Sequence, residues 1–150
     1  MKRGTKLFVL FLAGFLFSSC GQKSAGLQEA AIAPDTMLFG NGVKFLEKNQ
    51  FIKARLSFQT LINTYPDSEH TPASFLSIAD SFYHEGGATN LLQAEAQYKD
   101  FIIFYPTHEI ADDAQMKIAA VNVKLMRGPG RDSTYALKAE RELENFLQKY

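Results

Sequence analysis

Residues 51–66 read FIKARLSFQTLINTYP, and residues 91–106 read LLQAEAQYKDFIIFYP. In the first stretch Phe51, Ala54, Phe58, Leu61, Ile62 and Tyr65 fall at helical spacing. In the second, Leu91, Ala94, Tyr98, Phe101, Ile102 and Tyr105 repeat it, and Ala136, Ala139, Leu143, Phe146, Leu147 and Tyr150 repeat it again. At 3.6 residues per turn, six such positions share one stripe of a helix. The spacing therefore predicts three amphipathic helices of one design. Pro66 and Pro106 stop the first two, because the proline ring cannot donate the backbone hydrogen bond that a further turn needs.

Working outward, each stripe has a helical partner before it. Asp35 or Thr36 is placed to cap a helix running to about Lys48, and Asn49-Gln50 leaves room only for a tight turn into Phe51, so the pair forms an antiparallel hairpin. Thr71-Pro72 marks a second start, with Thr as cap and Pro in the first turn, for a helix to about His84. Glu85 to Asn90 then forms a flexible turn with Asn90 as the next cap. After Pro106, Thr107 is placed to cap a helix from about His108 to Met126, whose Glu109, Asp112 and Asp113 suit the positive end of its dipole. Gly128-Pro129-Gly130 ends that helix, and Asp132 or Ser133 opens the last.

The pattern advances by about 40 residues from Phe51 to Leu91 and by about 45 from Leu91 to Ala136, and a period of that size, with two helices per unit, means a helical solenoid. Gly42 stands twelve residues before Ala54, Ala54 twelve before Pro66, and Ala94 twelve before Pro106. Small residues where paired helices cross, followed by an aromatic and a proline, are the pattern of the tetratricopeptide repeat. The expected fold is all-α: a tetratricopeptide-repeat solenoid of about three hairpins over residues 35–150.

The N-terminus has a different character. Met1 to Lys6 is positively charged, Leu7 to Phe17 is an eleven-residue apolar run, and Ser18-Ser19 precedes Cys20, the one cysteine of the chain. This is the layout of an export signal, and the run falls short of the roughly 20 residues that a membrane-spanning helix needs. Phe17-Ser18-Ser19-Cys20 resembles the bacterial lipobox, which implies cleavage after Ser19 and lipidation of Cys20. Several acyl chains then give stable anchoring where one holds only marginally. Residues 1–19 are thus the expected lipoprotein signal peptide, and residues 20–34 the lipidated N-terminus and flexible tether.

Setting aside Lys2, Arg3 and Lys6 of the signal leaves 13 basic against 16 acidic residues. A mildly acidic domain lacks the basic face that a nucleic-acid partner requires. One cysteine excludes an internal disulfide framework. His70, His84 and His108 lie at separate junctions without metal-ligand spacing. Gly128-Pro129-Gly130 is not followed by the Lys-Ser or Lys-Thr of a phosphate loop. No nucleophile, base or cofactor motif is found, so the chain is expected to be neither an enzyme nor a metal or cofactor carrier.

Lipobox, tether and tetratricopeptide hairpins together resemble the BamD family, the lipoprotein of the outer-membrane β-barrel assembly machinery. Tyr105-Pro106-Thr107-His108 at a unit junction and Arg131-Asp132-Ser133 before the last helix carry the likeness, which spans residues 20 to 150. It implies a scaffold and substrate receptor anchored through Cys20 to the periplasmic face of the outer membrane. Its implied partners are the barrel-forming subunit, other assembly lipoproteins and unfolded outer-membrane proteins. Family members carry about five repeats; the absence of a proline after Tyr150 and of a polar capping helix implies that the array continues. Such arrays hold extended peptides in the groove lined by the first helix of each hairpin. By repeat phase the groove candidates are Phe39, Val43, Leu46, Leu76, Asp80, Tyr83, Met116 and Lys124. The alternative reading is another periplasmic tetratricopeptide adaptor lipoprotein, in pilus-secretin assembly or cell-envelope coordination.

Overall fold

Two of the chain's prolines, Pro34 and Pro72, sit in the first turn of a helix, where a missing N–H costs nothing. Pro66 and Pro106 sit just beyond a helix end. The computed structural model describes residues 33–126 and 132–150. These form six helices: α1 (Pro34–Glu47), α2 (Phe51–Thr64), α3 (Thr71–Glu85), α4 (Ala88–Phe104), α5 (Ala111–Leu125) and α6 (Thr134–Lys149). No strand occurs among the described residues. Each helix packs on the next, giving three hairpins stacked in chain order, the all-α tetratricopeptide-type solenoid.

The α1–α2 turn is a Schellman closure. The amide of Gln50 donates to the carbonyl of Phe45 at 2.8 Å, and that of Asn49 to Leu46 at 2.9 Å. Asn49 adopts φ 55°, a left-handed conformation that asparagine tolerates better than most residues. Between hairpins a different turn is used, and it is used twice. Ser68 donates from its amide to Tyr65 and Thr71 to Ser68; one repeat later His108 donates to Tyr105 and Ala111 to His108.

That shared turn moves several helix starts from where the local sequence places them. Helix α5 begins at Ala111, so Thr107 and Glu109 lie in the junction, whereas Asp112 and Asp113 do occupy the first turn. Thr71 is the first residue of α3; its hydroxyl donates backwards to the Tyr65 carbonyl at 3.0 Å instead of capping. Asp35 lies inside α1 and accepts the Ser68 hydroxyl at 2.6 Å, tying α1 to the junction, so the α1 start at Ala33 has no side-chain cap. Asn90 is in the first turn of α4, donating to the Gly86 carbonyl at 2.9 Å. Gly86 and Gly87, at φ 75° and 79°, form the turn before it. Asp132 does open α6, accepting both the amide and the hydroxyl of Thr134. The Gly128-Pro129-Gly130 stop, the signal peptide and Cys20 lie outside the described residues.

The stripes form the core. Ala54, Phe58 and Leu61 are fully buried in α2, and Ala94, Tyr98 and Phe101 in α4. Gly42 and Ala54 are the small residues of the first crossing, and the Phe58 ring fills the space above Gly42. Ile78 of α3 joins Ala54 and Phe58, while the larger cluster holds Leu76, Ala79, Tyr98, Ala114, Ile118 and Val121. In α6 the stripe is only partly covered: Ala139 is buried, but Leu143 and Leu147 are 39% and 79% exposed.

Candidate functional site

Of the eight groove candidates, three converge. Tyr83 at the end of α3, Met116 and Lys124 of α5, with Ala119, Ala120, Val123 and Leu143, line an apolar cleft of about 450 Å³. The stripe pattern presents Met116, Ala119, Ala120 and Val123 on one face of α5, and α6 contributes Leu143 as a wall. Lys124 closes one end of the cleft. Its ammonium donates to the Tyr83 carbonyl at 3.1 Å and stands 4.2 Å from the centre of the Tyr83 ring, an electrostatic attraction to the π-face. His84 packs edge-on against the same ring, with centroids 5.5 Å apart. The lining thus offers apolar surface with one ammonium at its rim, a setting that accepts an apolar side chain.

The remaining candidates are placed differently. Leu76 is 8% exposed and belongs to the core, because α4 and α5 close over that face of α3. Phe39, Val43 and Leu46 are half-buried and pack on Ala54, Phe58 and Ile78. Phe39 also stacks on the His70 ring, 4.8 Å between centroids and nearly parallel. Asp80 is committed within the fold. Its carboxylate accepts the Tyr98 hydroxyl at 2.6 Å and the Lys117 ammonium at 2.6 and 2.7 Å, joining α3, α4 and α5. Burial, reinforced by the adjacent Asp80 charge, raises the Tyr98 phenol far above its ordinary pKa and keeps it a neutral donor.

Ala119, Ala120, Val123 and Leu143 escaped the sequence reading although the repeat contains the signal. The first three stand one repeat after Ala79, Asp80 and Tyr83, and Leu143 one repeat after Tyr98. A second tie joins the first two hairpins: Arg55 donates to Glu85 at 2.6 Å and to Ser81 at 3.2 Å, with its guanidinium 4.2 Å above the Phe82 ring.

Among the described residues, His, Cys, Asp and Glu do not gather in a group that could hold a metal ion, and no helix is long and apolar enough to cross a membrane. The histidines serve local structure. His70 bonds Thr36 at 3.3 Å, and His108 accepts the Ile110 amide at 3.3 Å while packing edge-on against Phe101 and Tyr105.

A search of curated proteins found no match. Residues 32–150, covering all six helices and the cleft, match the family YfiO, described as an outer membrane lipoprotein and BamD-like in kind. The chain belongs to the YfiO family of outer membrane lipoproteins.

Proposed function

We propose that this protein is a non-catalytic scaffold and substrate-binding lipoprotein of outer-membrane β-barrel assembly. It is held at the periplasmic face of the outer membrane through acyl chains on Cys20. Its hairpins bind the barrel-forming subunit and other assembly lipoproteins, and it receives unfolded outer-membrane proteins. Family membership supports the location and the class. The observation that carries the receptor role is the cleft of Tyr83, Met116, Val123 and Leu143 with Lys124 at its rim, where an apolar side chain of an unfolded chain is taken up. Pockets of this kind combine an apolar lining with few polar groups that set orientation.

Depletion of the protein is the test. The expected outcome is loss of folded β-barrel proteins from the outer membrane while pilus assembly and septation continue. Normal barrel levels combined with failed piliation or septation would instead assign the protein to another envelope adaptor system.

A further inference from the structure

Each first helix of a hairpin has a leading row of side chains facing the hairpin before it and a trailing row facing the hairpin after it. In α3 the leading row includes Ile78, packed on Ala54 and Phe58, and Ser81, which meets Arg55. In α5, one repeat on, Ile118 and Val121 are buried in the same way and Lys117 reaches Asp80. The equivalent row of α1 holds Pro34, Met37, Leu38 and Asn41. Here Pro34 and Asn41 are exposed and Met37 is 53% exposed.

The trailing rows show the converse. Leu76 and Tyr98, covered by α5, are 8% and 0% exposed. Their counterparts Met116 and Leu143 are 42% and 39% exposed, and Val123, the counterpart of Tyr83, is 49% exposed. The cleft is therefore an open trailing face, and α1 carries an open leading face. The fold contains two examples of how such faces pair.

Those examples predict the fit. The position where Asp80 meets Lys117 is held by Gly40 and Ser77 one repeat earlier, and by Ala120 and Met37 at the two open ends. Charge faces charge inside the stack, and apolar would face apolar between the ends, so no charge is buried alone. Lys44 stands at the position of Lys124. An α1 seated as α5 is would bring the Lys44 ammonium to the Val123 carbonyl, as Lys124 is brought to that of Tyr83.

We propose that the cleft is an interface for a second copy of this chain, whose α1 seats in it head to tail, Met37 against Ala120. Such a heterologous contact leaves one open face at each end, so association adds copies in one direction. A substrate side chain and a second copy would exclude each other from the cleft. The experiment below reads mass alone and is independent of the substrate reading.

Sedimentation velocity on the full chain in detergent tests this, with Met37→Asp and Val123→Asp variants whose sites are exposed enough to leave the fold intact, as circular dichroism verifies. The wild-type chain should gain mass with concentration, while each variant alone stays monomeric. An equimolar mixture of the two variants should form a dimer and nothing larger, because each supplies the one intact face the other lacks. A wild-type chain monomeric at every concentration overturns the proposal, including the case where another segment or another protein's helix occupies the cleft. So does a mixture that fails to dimerise, or a Val123→Asp chain that associates like the wild type.

Discussion

Asp35 and Ser68 meet from opposite ends of the first hairpin, and the meeting is visible in a single proton equilibrium. The Ser68 hydroxyl, donating at 2.6 Å, stabilises the carboxylate and draws the Asp35 pKa below the ordinary 3.8. A group whose pKa is lowered on folding adds stability that is present above its unfolded value and lost as pH falls through the folded one. Ser68→Ala should therefore return the Asp35 midpoint upward toward the ordinary value in a carboxyl NMR titration, and weaken the acid dependence of unfolding. An unchanged midpoint would mean that the serine does not govern it. Neither residue was legible as a partner of the other, because Asp35 has the position and type of a helix cap. Local sequence carries no mark of a bond made to a junction in the next turn of the stack.

At the scale of the helix, the stripes were fully legible and the boundaries only partly so. Apolar spacing depends on burial, which the stack satisfies at Ala54, Phe58, Ala94 and Tyr98. Helix starts depend here on a backbone turn common to both junctions, so Thr71 and Thr107, each placed as a cap, do not act as one. Aligning Thr71 with Ala111 at the repeat offset would have found the α5 start. The cleft was half legible for the same reason: Tyr83, Met116 and Lys124 follow from phase, whereas the open face of α5 depends on what the stack leaves uncovered. The crossing of α1 and α2 was read correctly as a small-residue contact, and it yields a sharp expectation. A Cβ on Gly42 would lie 2.4 Å from Cε1 of Phe58, whose ring is fully buried. Overpacking of this kind costs about 1–3 kcal/mol, of which the better helix propensity of alanine returns roughly 1 kcal/mol. Gly42→Ala should thus lower the denaturation midpoint, whereas alanine at Gly40, with no atom within 4 Å of its Cβ, should leave it equal or higher. Urea unfolding of the two variants side by side decides the matter.

Across the whole molecule, stability passes between neighbours, since each helix packs mainly on the next. Arg55 with Glu85 fastens the first hairpin to the second, and Lys117 with Asp80 the second to the third. Replacing Lys117 by Met removes one partner but leaves Asp80 bonded to Tyr98, and a partly exposed ion pair contributes at most about 1 kcal/mol. Amide exchange should accordingly quicken in α5 and α6 while α1 and α2 keep wild-type rates; uniform acceleration would mean that the stack opens as one unit. The turns between hairpins have a further consequence. Because Tyr65 and Tyr105 enter the same pair of backbone turns, excising residues 66–105 would join Tyr65 to Pro106 and rebuild a junction already present. A hairpin is in that sense a cassette, and recombination within a gene of this kind can lengthen or shorten the array by whole hairpins without inventing a new connection.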